Sequence, residues 1–107
     1  MEMYVDVTRI QFRVGRAPEP KTARDTGRQM TDRETQLPLW VVQLSTIDAT
    51  GADKIRVTVA AAQQPKVDPG QEVVVRGLRA IPWEQNGRAG VAFRAESVGP
   101  ITATKAA

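Results

Sequence analysis

At 107 residues the chain has room for one domain with a core of its own. It contains neither Cys nor His, which removes disulfides, thiolate metal sites, Ser-His-Asp and Cys-His nucleophile arrangements, and almost every zinc site. The 15 Lys and Arg against 12 Asp and Glu leave a net charge of +3.

That charge is unevenly spread. Residues 1–53 hold 7 basic and 8 acidic side chains, whereas residues 54–107 hold 8 and 4. The positive potential belongs to the second half, and a basic surface attracts polyanions. Of the 15 basic residues 11 are Arg, whose fork suits phosphates and whose plane suits bases. The acids stand singly among cations with no D-x-D cluster, so a hard-metal site is not expected. The reading is therefore of a non-enzymatic protein with no catalytic residue, metal or cofactor. No apolar run approaches the ~20 residues of a membrane span. The first residues lack the pattern of a signal peptide, and a cytoplasmic location is expected.

Residues 3–14 read as the first strand. Val5 and Val7 alternate with polar neighbours, then Ile10, Phe12 and Val14 alternate in the opposite phase. A shift of one residue turns side chains to the other face unless a bulge absorbs it, so a bulge or bend is predicted near Thr8-Arg9. Residues 15–37 are poor in apolar positions and carry Gly15, Pro18, Pro20 and Gly27. They read as a long loop or loose hairpin extension, and loops this long are uncommon unless functional. Lys21, Arg24 and Arg28 make it a candidate flap over a bound strand; a charge-balanced, solvated loop is the plainer alternative. No internal repeat is expected.

Residues 38–47 form the second predicted strand, with Trp40, Val42 and Leu44 on its core face. Trp40 is either a core residue or a surface ring at the strand's start. Residues 54–61 form the third, with Ile55, Val57 and Val59 inward and Lys54, Arg56 and Thr58 outward. Residues 60–69 leave no room for a helix between Pro65 and Pro69, and Val67 is expected to plug the end of a barrel.

The last third is the most informative. Val73, Val74 and Val75 follow the Pro69-Gly70 turn signal, and Gly77 suggests a bulge or sharp coil. Asn86-Gly87 is a strong hairpin dipeptide, and residues 90–98 form the return strand. Arg76, Arg79, Arg88 and Arg94 dot this hairpin, with Trp83 near its tip. Cations and an exposed aromatic on a twisted hairpin suit single-stranded nucleic acid: the cations meet phosphates, and the ring meets an unstacked base.

Together these elements predict an all-β protein, a small five-stranded OB-fold-like barrel with a long loop between strands 1 and 2. Residues 1–101 would be the domain and residues 102–107 a frayed tail. Gly70-x-x-Val73-x-Val75-x-Gly77-Leu78, then Trp83-Glu84-x-x-Gly87, then a strand ending in Glu96-Ser97-Val98, resembles the C-terminal half of bacterial single-stranded DNA-binding proteins. The resemblance spans about 32 residues, 70–101. It implies that Trp83 stacks on a base and that Arg79 and Arg88 contact phosphates. The spacing from glycine to tryptophan is one residue shorter here, Leu78 follows Gly77 directly, and the acidic, hydrophobic-tipped tail of that family is missing. A minimal relative is implied, of the kind that would serve DNA replication in a plasmid, phage or integrated mobile element.

The expected function is binding of single-stranded DNA with little sequence preference, with RNA as a variant. Arg56, Lys54, Arg76, Arg79, Arg88 and Arg94 would neutralise phosphates, with Trp83 and Trp40 as stacking platforms. With five aromatic residues in all, a monomer should bind weakly, so a homo-dimer or tetramer is expected. The alternative is a protein-interaction or scaffold module on the same barrel, with Trp83 as its anchor.

Overall fold

The computed structural model describes residues 2–101, and the expected tail at residues 102–107 lies outside them. The protein is all-β. Eight strands occur where five were predicted: β1 (Met3–Tyr4), β2 (Gln11–Pro20), β3 (Leu39–Asp48), β4 (Gly51–Ala60), β5 (Glu72–Arg76), β6 (Arg79–Gln85), β7 (Arg88–Ala95) and β8 (Ser97–Pro100). They form one sheet in the order β1-β6-β7-β4-β3-β2-β5-β8. It curls until β8 touches β4.

The curl has a local cause. β5–β8 and β6–β7 share one register, with Val75 opposite Val98 and Arg79 opposite Arg94. Gly77-Leu78 and Glu96 therefore bend one long hairpin without shifting it. Gly77 sits at φ 63°, and a Cβ there would meet Glu96 Cγ at 2.6 Å. Only glycine fits that bend. The hairpin closes through Asn86 (φ 53°) and Gly87 (φ 76°) between paired Gln85 and Arg88, a turn whose twist matches that of its strands. The other edge of β7 pairs in parallel with β4, Val57 opposite Phe93.

The core follows the alternation expected of half-buried strands. Phe12, Val14, Val42, Leu44, Val57, Val59, Val73, Val75, Leu78, Ala95 and Val98 form one cluster. Val67 is buried with them although its segment has no regular structure. Among the described residues no helix is long and apolar enough to cross a membrane.

The first predicted strand is corrected. Residues 5–10 leave the sheet, and Asp6 accepts bonds from the Thr8 amide and hydroxyl in a turn. The phase change from Val7 to Ile10 is thus absorbed by an Asx turn rather than a bulge. The strand that follows runs on to Pro20, with register shifts between Val14 and Arg16 and between Arg16 and Glu19.

Residues 15–37, read as a long loop or loose hairpin extension, are the latter: residues 15–20 continue β2 and residues 21–38 form two consecutive tight hairpins, and the expectation of no internal repeat fails with them. Thr22-Ala23-Arg24-Asp25-Thr26-Gly27 and Thr31-Asp32-Arg33-Glu34-Thr35-Gln36 share a pattern nine residues apart. Their backbones are equivalent. Thr22 bridges Gln29 and Thr31 bridges Pro38. The Ala23 amide donates to Arg28 O, as the Asp32 amide does to Leu37 O. Gly27 and Gln36 are both left-handed, at φ 69° and 62°. The Thr26 hydroxyl accepts from the Arg28 amide, and the Thr35 hydroxyl from the Leu37 amide, both at 3.3 Å. Where the units meet β2 and β3, three amides close a ring: Lys21 donates to Leu39, Leu39 to Met30 and Met30 to Lys21. Polar groups, not apolar burial, specify this arm.

Candidate nucleic-acid interface

Residues paired across a ladder share a face of the sheet. The register therefore draws one row across six strands: Tyr4, Arg79, Arg94, Thr58, Val41 and Glu19. This row lies on the side opposite the core. The next positions on that side are Ile81 with Ala92 and Trp83 with Gly90 on β6–β7. On β4 and β3 they are Arg56 with Gln43 and Lys54 with Ser45. Five of the predicted site residues, Trp83, Arg79, Arg94, Arg56 and Lys54, thus share one outer face. Arg88, opposite Gln85, sits at the hairpin turn beside them and is exposed.

Trp83 is 45% exposed. Its ring lies over the backbone of Gly90, where a Cβ would come within 2.6 Å of Trp83 Cζ2. The absent side chain makes the seat on which the indole rests. Tyr4, 72% exposed, presents a second ring next to Arg79.

The cations differ in their freedom. Arg56 and Lys54 are exposed and make no ion pair among the described residues. Arg79 bonds Glu2 at 3.1 Å, and its Nε is a buried donor without a partner among the described residues. Arg94 pairs with Asp32 of the second hairpin. Asp32 also accepts from the amides of Glu34 and Thr35 and from the Thr35 hydroxyl. The Thr35 amide first, then Arg94, hold its carboxyl far below the usual range. Lys21 reaches Thr58 Oγ1 at 3.4 Å. The arm therefore leans over the outer face, and its second hairpin lines a cleft of about 670 Å³ together with Glu2, Arg79 and Arg94, which the Asp32–Arg94 pair bridges.

Four predicted residues stand apart. Trp40 is half-buried on the core side, with Nε1 donating to Ala61 O at 2.9 Å. This bond satisfies the indole donor and fixes the ring away from the cationic face. Arg76 is exposed on the β5–β8 ladder, beyond the bend at Gly77. Arg24 and Arg28 are exposed on the first hairpin of the arm, where neither makes an ion pair among the described residues. Asp32 and Glu2 escaped sequence reasoning. For Asp32 the signal was the nine-residue repeat, in which it replaces Ala23.

No family model matches the chain, and no curated protein or solved structure matches it either.

Proposed function

We propose that the protein binds single-stranded DNA, with RNA as a chemical variant, along the outer face of its curled sheet. The observation that carries this is the placement of Trp83, Tyr4, Arg79, Arg94, Arg56 and Lys54 on one continuous face. Rings accept unstacked bases at roughly 1–3 kcal/mol each, while cations track the backbone without reading sequence. The reading treats β5–β6 and β7–β8 as two bent strands, which together with β2, β3 and β4 make a five-stranded barrel of the OB kind. The shared register of the two ladders and the parallel β4–β7 pair support it. The likeness of residues 70–101 to single-stranded DNA-binding proteins points the same way, and a homo-oligomer would lengthen the bound track.

A second reading has its own observation. Met3 and Val91, on the other side of the β1–β6–β7 ladder from Trp83, are 53% and 50% exposed. Apolar surface on both sides of a hairpin suits a protein contact, including one between copies of this chain.

The test is a tryptophan-fluorescence titration with oligo-dT of about 30 nucleotides, long enough for several sites, at low and moderate salt. Saturable quenching that weakens steeply with salt and is lost in Trp83→Ala supports strand binding. No quenching at low salt, where phosphate attraction is strongest, overturns it and leaves the protein-contact reading.

A further inference from the structure

The two units of the arm serve as controls for each other. Both make the same turn with the same backbone bonds and the same threonine bond. One position differs in a way that reaches outside the arm. Unit one has Ala23 and makes its turn with no carboxylate at that position; unit two has Asp32, which crosses to Arg94 on β7. The turn itself does not require this charge. Asp32 is also well hidden: its side chain is 11% exposed, and that of Arg94 is 28%. Arg94 stands in the middle of the outer-face row, between Arg79 and Thr58.

Resting on the strand-binding reading above, we propose that the second hairpin is an internal competitor for the nucleic-acid site, with Asp32 holding the Arg94 guanidinium that a backbone phosphate takes on binding. A carboxylate and a phosphodiester each carry one negative charge and each accept the guanidinium fork. Exchanging one for the other is close to balanced, so the latch is displaceable rather than permanent. When Asp32 leaves, its own turn keeps the three bonds from Glu34 and Thr35. The hairpin can therefore move as a unit about the ring at Lys21, Met30 and Leu39. Arg33 and the Thr31 and Thr35 hydroxyls, which line the cleft opposite Arg79 and Arg94, would then flank the entering backbone.

The test compares the full chain with Asp32→Asn, which keeps the turn bonds and removes the charge. Asp32→Ala, which copies unit one, is the second variant. Each is made alone and with Arg94→Ala, and binding of labelled oligo-dT is measured by anisotropy. Asp32→Asn should bind roughly 1.5-fold to fivefold tighter, the range a partly exposed ion pair can withhold. The gain should vanish on the Arg94→Ala background. The carboxyl NMR signal of Asp32 should move toward its position in Arg94→Ala when oligo-dT is added, as the guanidinium leaves it. Binding by the wild type with no gain in Asp32→Asn, or an Asp32 carboxyl signal that stays where it was on binding, overturns the latch while sparing the site. Binding by Asp32→Asn alone supports the latch in its strongest form. If no variant binds at low salt, the latch and the strand-binding reading fall together.

Discussion

The indole of Trp83 rests on the bare backbone of Gly90, its partner across the β6–β7 ladder. The pair explains how a large ring can be ordered at a site where it is half exposed. Gly90→Ala is expected to displace the ring, because the new Cβ would stand 2.6 Å from Cζ2 and 2.9 Å from Cε2. The tryptophan emission should shift and oligo-dT quenching should fall toward that of Trp83→Ala. Folding stability should change by less than about 1 kcal/mol, as for most surface substitutions. Fluorescence and urea unfolding on one sample check both; unchanged emission would refute the seat.

Arg56 makes no ion pair among the described residues, so its positive charge is available to a phosphate. Arg56→Ala should weaken oligo-dT binding evenly across sequences. It should also flatten the plot of log K against log salt by about 0.7 for the one phosphate lost. Arg76→Ala, on the other ladder, should leave that slope unchanged.

The bend at Gly77 should be intolerant. Gly77→Ala places a Cβ on Glu96 in a left-handed backbone and is expected to cost about 1–3 kcal/mol. Leu44→Ala, which empties a fully buried site, should cost about 2–5 kcal/mol. Both are read from urea midpoints.

Three aspartates tie pH to stability. Asp32, Asp48 and Asp6 are all held below the usual carboxylate range, chiefly by amide and hydroxyl donors of Thr35, Thr50 and Thr8. A carboxyl lowered in the folded state stabilises above its unfolded pKa of about 3.9, and that contribution is lost as pH falls through the folded value. Stability should therefore be level from neutral pH to the ordinary aspartate range and decline below it. Carboxyl titration by NMR should show Asp32 still lowered in Arg94→Ala, because the Thr35 amide is its leading donor.

Where apolar side chains decide the structure, the sequence was legible. The alternation of Val42, Leu44, Val57 and Val59 gave the core faces, and Asn86-Gly87 gave the hairpin. The break at Thr8-Arg9 was legible in place, and of the bulge or bend it allowed the chain takes the bend, as an Asx turn. The arm was not legible, because its order comes from threonine hydroxyls and backbone amides, which leave no hydrophobic period. Its repeat of Thr-x-Arg-acid-Thr was present but carries no burial signal. Trp40 was ambiguous until the carbonyl of Ala61 supplied its partner. The pairing of Arg94 with Asp32 spans 62 residues, a distance over which no local pattern reports.

The closed ring of amides at Lys21, Met30 and Leu39 makes the arm a three-way junction, with β2–β3 as its stem and the nine-residue hairpins as two leaves. A junction of this kind changes size in whole leaves. Excising residues 22–30 would join Lys21 to Thr31 and leave an ordinary hairpin, still in frame with the stem. Such a shortened chain should unfold near the wild-type urea midpoint, whereas removing four or five residues should not be tolerated. The reach of this appendage over the sheet can thus be lengthened or trimmed by duplicating or deleting one leaf, with the curled sheet beneath it left untouched.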